Sequence, residues 1–234
     1  MALLAKITKL FRGQSFSRKR SGKGYADYVL TKLTSGASHS TLGNNIRDEA
    51  YTRKKAARWL GVLKDCGLKP DMLCVEYGCG SLWAAEPVIE YLEPGKFVGV
   101  DIVDGFYKMG LERIADLASR KHPQFAVISP ANLQPIAARR PQFIYSRKVL
   151  SHISPADRGK FFALLCSLMH QETVVVIDSI AASSTVERNT GTWSHGVEDV
   201  RRSLPSGIAL RAAPGELAGR HSCYLLARAQ SFHT

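Results

Sequence analysis

From Asp71 onward, short apolar runs rich in β-branched and aromatic residues alternate with stretches of helical periodicity, and this regularity constrains the fold more than any other feature. The runs are "MLCVEYG", "KFVGVDI", "QFAVIS", "PQFIYS" and "ETVVVID". Between them "LWAAEPVIEYLEPG", "FYKMGLERIADLASR" and "ADRGKFFALLCSLMH" predict helices, with Pro87 tolerable near a first turn. "VEDVRRSL" predicts a short helix, and "GIALRAA" with "SCYLLARA" a closing antiparallel pair of strands. Strands joined through helices run parallel, so the expectation is an α/β fold: a doubly wound, Rossmann-like, seven-stranded sheet whose strands six and seven are antiparallel. "ERNTGTWSHG" is expected to be a loop after strand five. No internal repeat is present.

The region before this alternation differs in charge. Residues 1–70 hold 15 Lys and Arg against 4 Asp and Glu, and the remaining 164 residues hold 17 against 16. The net charge of +12 therefore belongs to an N-terminal extension, and the body of the chain is close to neutral. In "MALLAKITKLFRG" Leu3, Leu4, Ile7, Leu10 and Phe11 fall at helical spacing, with Lys6, Lys9 and Arg12 off that stripe. Three roles fit it: a helix docked on protein, a peripheral membrane contact through residues 1–12, or an organelle transit peptide. "RGQSFSRKRSGKG" reads as a linker. "YADYVLTKL" and "IRDEAYTRKKAARWLGVLKDCG" predict helices; in the second, Ala56, Trp59, Leu60 and Leu63 form one buried face, and Arg53, Lys54, Lys55 and Arg58 form a solvated face, with a polyanion site as the alternative. The expected organisation is a basic leader and linker over residues 1–24, a helical extension or lid over 25–70, and one domain over 71–234.

The five cysteines are scattered without Cys-x-x-Cys or zinc spacing, which predicts free, mostly buried thiols, no metal site and a reducing, cytoplasmic setting. No apolar run approaches the ~20 residues that span a bilayer.

The site is expected where "VEYGCGS" closes the first strand, because doubly wound sheets bind ligands beyond the carboxyl ends of their strands. Asp101 ends the second strand, 21 residues after Gly80, where a carboxylate can accept from both ribose hydroxyls of an adenosine ligand. A nicotinamide dinucleotide and S-adenosylmethionine share that geometry. The dinucleotide needs a third glycine where Trp83 stands, and its pyrophosphate would meet the negative charge of Glu76. S-adenosylmethionine carries an ammonium and a sulfonium, so the same carboxylate helps.

At these residues the chain resembles the class I S-adenosylmethionine-dependent methyltransferases. "VEYGCGS" is similar to their first motif, "GVDI" to the acidic second, "FIYSRKVLSHIS" to the strand-four segment and "VVVIDS" to strand five. The resemblance implies cofactor contacts from Glu76, Tyr77, Gly78, Cys79, Gly80, Asp101, Ile102, Asn132 and Ser146. Three departures stand out. The glycine that many members carry at or near Leu82 is missing; Ser129 and Asn132 stand where an adenine-binding acid often follows strand three; and Gln142 replaces a common acid near strand four.

The resemblance also suggests catalytic candidates. His152, after strand four, would line the methyl-transfer channel or be held by backbone at a helix start. His195, beside Trp193, would serve as a stacking or acid–base group or face water on a loop. Asp178 ends strand five and would meet substrate or cap a turn. Tyr25, Tyr28 and His39 would come from an N-terminal lid or pack as ordinary residues. The Asn/Asp-Pro-Pro-Tyr/Phe motif of base methylation, a Pro-Cys pair and a catechol-type metal set are all absent. What remains is metal-independent O-methylation of a small molecule or a glycan or lipid-linked acceptor. The alternatives are an RNA methyltransferase with a basic arm and an inactive methyltransferase-like scaffold.

Overall fold

The computed structural model describes residues 48–189, 192–213 and 221–229. The leader and linker, the predicted helix "YADYVLTKL", Tyr25, Tyr28 and His39 lie outside the described residues.

The strands are β1 (Cys74–Tyr77), β2 (Phe97–Asp101), β3 (Gln124–Val127), β4 (Phe143–Ser146), β5 (Val174–Ala182), β6 (Val186–Asn189), β7 (Thr192–Gly196), β8 (Ile208–Ala212) and β9 (His221–Arg228). The first five are parallel in the order β3-β2-β1-β4-β5. β9 runs antiparallel to β5, and β8 antiparallel to β9, which gives the expected seven strands with their closing pair. The predicted loop 187–196 is instead a hairpin of β6 and β7, and β7 continues the end of β5 through Ala181 opposite His195 and Ala182 opposite Gly196.

The helices are α1 (Glu49–Asp65), α2 (Ala85–Tyr91), α3 (Asp104–Arg113), α4 (Ala115–Lys121), α5 (Pro130–Ala138), α6 (Arg158–Cys166) and α7 (Val197–Arg202). The predicted single helix 106–120 is two, α3 and α4, broken at Ile114 with φ −108° and ψ 27°. α1 starts where the Asp48 carboxylate accepts the Tyr51 N–H at 2.8 Å, and Gly67, at φ 99°, follows its end.

Period two divides β1 between two cores, since every residue of a central parallel strand is buried. Val75 and Tyr77 pack with α5, α6 and α7 through Leu133, Phe162 and Val200. Cys74 faces the other core with Tyr145, Trp59 of α1 and Ile89 of α2. Trp59 is 1% exposed, and truncating it to alanine is expected to cost about 3–5 kcal/mol and to loosen α1 from the sheet. Glu76, two residues after Cys74, therefore lies on the α1 side of β1. All five cysteines are free and buried. No helix among the described residues is long and apolar enough to cross a membrane.

Candidate functional site

After β1 the chain turns sharply, and Gly78 and Cys79 both donate their N–H to Val100 O, at 2.7 and 3.1 Å. Gly78 sits at φ 90°, and a Cβ there would lie 2.3 Å from Val149 Cγ2. Only glycine lets the turn run beneath the loop after β4. Leu82 takes φ 62°. The missing glycine near this position has thus been replaced without losing the left-handed backbone, at a cost of about 1–2 kcal/mol that burial of the leucine side chain offsets. Gly110 brings α3 onto the same turn, since a Cβ would lie 2.5 Å from Ser81 O.

Two buried carboxyls flank the turn. Asp101 Oδ2 accepts the Gly80 N–H and Oδ1 the Ile102 N–H, both at 2.7 Å, so each oxygen keeps lone-pair capacity for a further donor. Burial raises its pKa to about 6 against the pull of those N–H groups. Glu76 is 1% exposed, and its Oε2 has no hydrogen-bond partner among the described residues. Burial pushes its pKa up to about 8; the Tyr145 hydroxyl and the Arg147 charge oppose the rise, and the Asp101 charge adds to it. At neutral pH this carboxyl is protonated, and a cation beside it would ionise it.

Both carboxyls open on a cavity of about 430 Å³ between the carboxyl edge of the sheet and α1. Ile102, Phe106 and Ile128 form an apolar wall beside Asp101, and Val149, Ile153, Phe161 and Leu164 line the β4 side. Trp83 is held against the opening: the Arg113 guanidinium lies 3.8 Å and that of Arg53 5.5 Å from its ring centroid, and both arginines pair with Glu86. This contact ties α1 to α2 and α3 around the mouth of the cavity. Arg53 is exposed like Lys54, Lys55 and Arg58, as the solvated face predicts, and is held at that face by Glu86 and Trp83.

Of the residues singled out from sequence, Glu76, Tyr77, Gly78, Cys79, Gly80, Asp101, Ile102 and His152 line this cavity. His152 ends a 3-10 turn, Leu150–His152, that faces into it. Ser146, Asn132, Asp178, Trp193 and His195 do not reach it. Ser146 is turned inward and donates to Tyr77 O at 2.7 Å. Asn132 is exposed and donates to Val127 O at 2.8 Å, because Ser129 caps α5 and fixes its first turn. Asp178 does not end strand five, since β5 runs on to Ala182; it accepts the Lys148 N–H and so braces the loop after β4 from beneath.

His195 is fully buried on β7, neither at the methyl-transfer channel nor on a surface loop. Its Nδ1 lies 3.1 Å from Arg158 Nη1 and its Nε2 2.9 Å from Leu150 O. Arginine can only donate, so Nδ1 accepts and Nε2–H donates to the 3-10 turn. Desolvation, reinforced by the Arg158 charge, holds the ring neutral by lowering its pKa. His195 positions the turn that carries His152 and touches nothing in the cavity.

Sequence analysis overlooked the contribution of α1, from which Tyr51, Thr52, Lys55 and Ala56 line the cavity, and of Arg147 and Lys148. The two cations directly follow Ser146 at the carboxyl end of β4, a place that binds ligands in such sheets and that signalled them. Among the described residues no group of three or more His, Cys, Asp or Glu side chains is placed to hold a metal ion.

No protein-family model matches this chain, and no curated protein matches it. Solved structures do. Magnesium protoporphyrin IX methyltransferase from Synechocystis PCC 6803, with bound S-adenosylmethionine, is similar at a TM-score of 0.55 and 15% identity, covering 87% of this chain and 91% of that one. The glycopeptide N-methyltransferase MtfA is similar at a TM-score of 0.56 and 10% identity, covering 74% and 90%. The PH0226 protein from Pyrococcus horikoshii OT3 reaches a TM-score of 0.58 at 11% identity, covering 79% and 93%. The fold is that of the class I S-adenosylmethionine-dependent methyltransferases.

Proposed function

We propose that the protein is an S-adenosylmethionine-dependent methyltransferase. The observation that carries this reading is Glu76 Oε2, buried beside the cavity without a hydrogen-bond partner, across the glycine turn from the Asp101 cradle. A protonated acid that gains by meeting a cation fits the ammonium end of S-adenosylmethionine and repels a pyrophosphate. Asp101 retains an acceptor site on each oxygen for the two ribose hydroxyls. Ile102, Phe106 and Ile128 offer the adenine an apolar wall.

When bound, S-adenosylmethionine supplies an electrophilic methyl carbon on a positively charged sulfur, with a neutral thioether as leaving group. The chain then has to align the acceptor and exclude water, an orientation effect that supplies ~7–11 kcal/mol. Gly78, the turn Leu150–His152 and the apolar side chains of Val149 and Ile153 shape that alignment. His152 and Asp157 on the cavity wall can take a proton from an acceptor hydroxyl, and His152 stands on the turn after β4. This favours O-methylation of a small molecule, or of a glycan or lipid-linked acceptor, in the cytoplasm or at a membrane surface met by residues 1–12. Titration calorimetry with S-adenosylmethionine and S-adenosylhomocysteine tests the reading. Micromolar binding that Asp101→Ala removes supports it, and absence of heat and of thermal shift at millimolar ligand refutes it.

A further inference from the structure

The ribose, the adenine and the ammonium of the cofactor have partners above, and its carboxylate, on the same carbon as the ammonium, can take one donor of Arg147 beside Glu76; the wall that carries Arg147 is cationic beyond that need. Lys55 of α1 meets Arg147 and Lys148 of the loop after β4 there. Arg147 donates to the main-chain oxygen of Lys55 at 3.4 Å, and Lys55 Nζ lies 4.3 Å from the ring centroid of Tyr51. Desolvation, then the charges of Arg147 and Lys55, draws the Lys148 ammonium below its ordinary pKa, and Asp178 opposes them. Three cations thus crowd together at the edge of an apolar cavity.

The acids that face them do not balance them. Asp178 favours the charged forms of both Arg147 and Lys148, and Glu76 that of Arg147. Glu76, protonated at neutral pH in the free protein, ionises when it meets the cofactor's ammonium and is balanced there. Asp157 and Lys160 line the wall as an acid and a base and cancel in charge. Neither Lys55 nor Lys148 forms an ion pair with any of the described residues. Lys55 and Lys148 are exposed and Arg147 is half-buried, and like charges held together at the mouth of an apolar cavity favour an anion between them.

We propose that the methyl acceptor is an anion: a small molecule with an apolar body and a carboxylate or phosphate group held by Lys55, Arg147 and Lys148. The inference rests on the methyltransferase reading and narrows its substrate class. Its apolar body meets Val149 and Ile153, on the same side of the cavity as His152. The Tyr51 hydroxyl, whose pKa Lys55 lowers by hydrogen bonding, adds a donor beside the cations.

The test uses the full chain saturated with S-adenosylhomocysteine, titrated calorimetrically with benzoate, phenyl phosphate and neutral benzamide at low and high salt. At least one anion is expected to bind about tenfold or more tightly than benzamide, with an advantage that shrinks as salt rises. Whichever of benzoate and phenyl phosphate binds assigns the source of the charge. In Lys55→Ala/Lys148→Ala, checked for an unchanged melting temperature, the preference is expected to fall about tenfold while S-adenosylhomocysteine binds within about twofold of the parent. Should that variant misfold, Lys148→Gln alone carries the same comparison. Normal S-adenosylhomocysteine binding without an anion preference, or a preference that survives loss of the lysines, overturns the inference and leaves the methyltransferase reading intact. Failure of S-adenosylhomocysteine to bind overturns both.

Discussion

Binding of S-adenosylmethionine at this site should expel a proton. Glu76 has a pKa of about 8 with no cation beside Oε2, so at pH 7 about nine-tenths of the molecules carry it neutral. Placing the ammonium next to it favours the carboxylate, and ionising Glu76 at pH 7 costs about 1.4 kcal/mol of the binding energy. That cost shrinks as the pH approaches the free pKa, so affinity should rise about twentyfold between pH 6 and 7.5 from Glu76 alone. Asp101, with a pKa of about 6, adds about twofold over the same window. Staying at or below pH 7.5 keeps the ligand's own α-ammonium largely protonated. Titration calorimetry at pH 7 in two buffers of different ionisation enthalpy reads the release directly, and close to one proton per site is expected. Glu76→Gln should lower affinity about tenfold at pH 7.5 and leave only the small release due to Asp101. The same substitution should stabilise the ligand-free protein. A folded-state acid with a raised pKa binds its proton more tightly than the unfolded chain, so its penalty is absent below the ordinary value of 4.5 and grows as pH rises through about 8. At pH 7 that penalty is about 3 kcal/mol at most, recovered as a higher melting temperature in the glutamine variant. Binding that releases no proton, with an affinity flat from pH 6 to 7.5, would refute the assignment of Glu76.

Four further outcomes test other parts of the account. Asp101→Ala should weaken S-adenosylmethionine about hundredfold by calorimetry, because two hydroxyls lose a charged acceptor; a change within twofold would contradict the cradle. Gly78→Ala should cost about 1–3 kcal/mol in denaturant melts and impair cofactor binding, since φ 90° and Val149 Cγ2 at 2.3 Å both oppose a methyl group. His195→Gln and His152→Gln should part company: the first lowers the melting temperature and kcat without moving the pH–rate profile, and the second lowers kcat about 10²–10⁴-fold on a hydroxyl acceptor while stability holds. Removing residues 1–24 should keep the protein in the supernatant when it is sedimented with anionic vesicles; equal behaviour of the intact chain would reject the membrane contact.

Much of the frame was legible because it depends on period and punctuation. β1, β2, β4 and β5 announce themselves as apolar runs, and the order of the sheet follows from their alternation with helices. α5 was not, because two prolines, Pro130 and Pro135, argue locally against a helix. In the structure Ser129 caps the helix, Pro130 occupies its first turn, and Pro135 forgoes one internal N–H. The β6–β7 hairpin hid behind polar residues, since it joins the sheet through two residues of β5 only. The cofactor cradle could be read because Glu76, Gly78, Gly80 and Asp101 follow from strand ends and a turn. The acceptor side could not, because His195 and Asp178 take Arg158 or backbone as partners, a choice made by tertiary packing that also turns Ser146, a cofactor candidate, inward onto Tyr77. Lys55 enters the cavity from a helix distant in sequence, and no local pattern fixes where that helix docks.

A crystal structure of the full chain with S-adenosylhomocysteine tests the central claim most directly. The account predicts the ribose hydroxyls on Asp101 and the amino group on Glu76 Oε2, with the sulfur directed toward His152. Density for a pyrophosphate in that cleft, or none at all at saturating ligand, would contradict it.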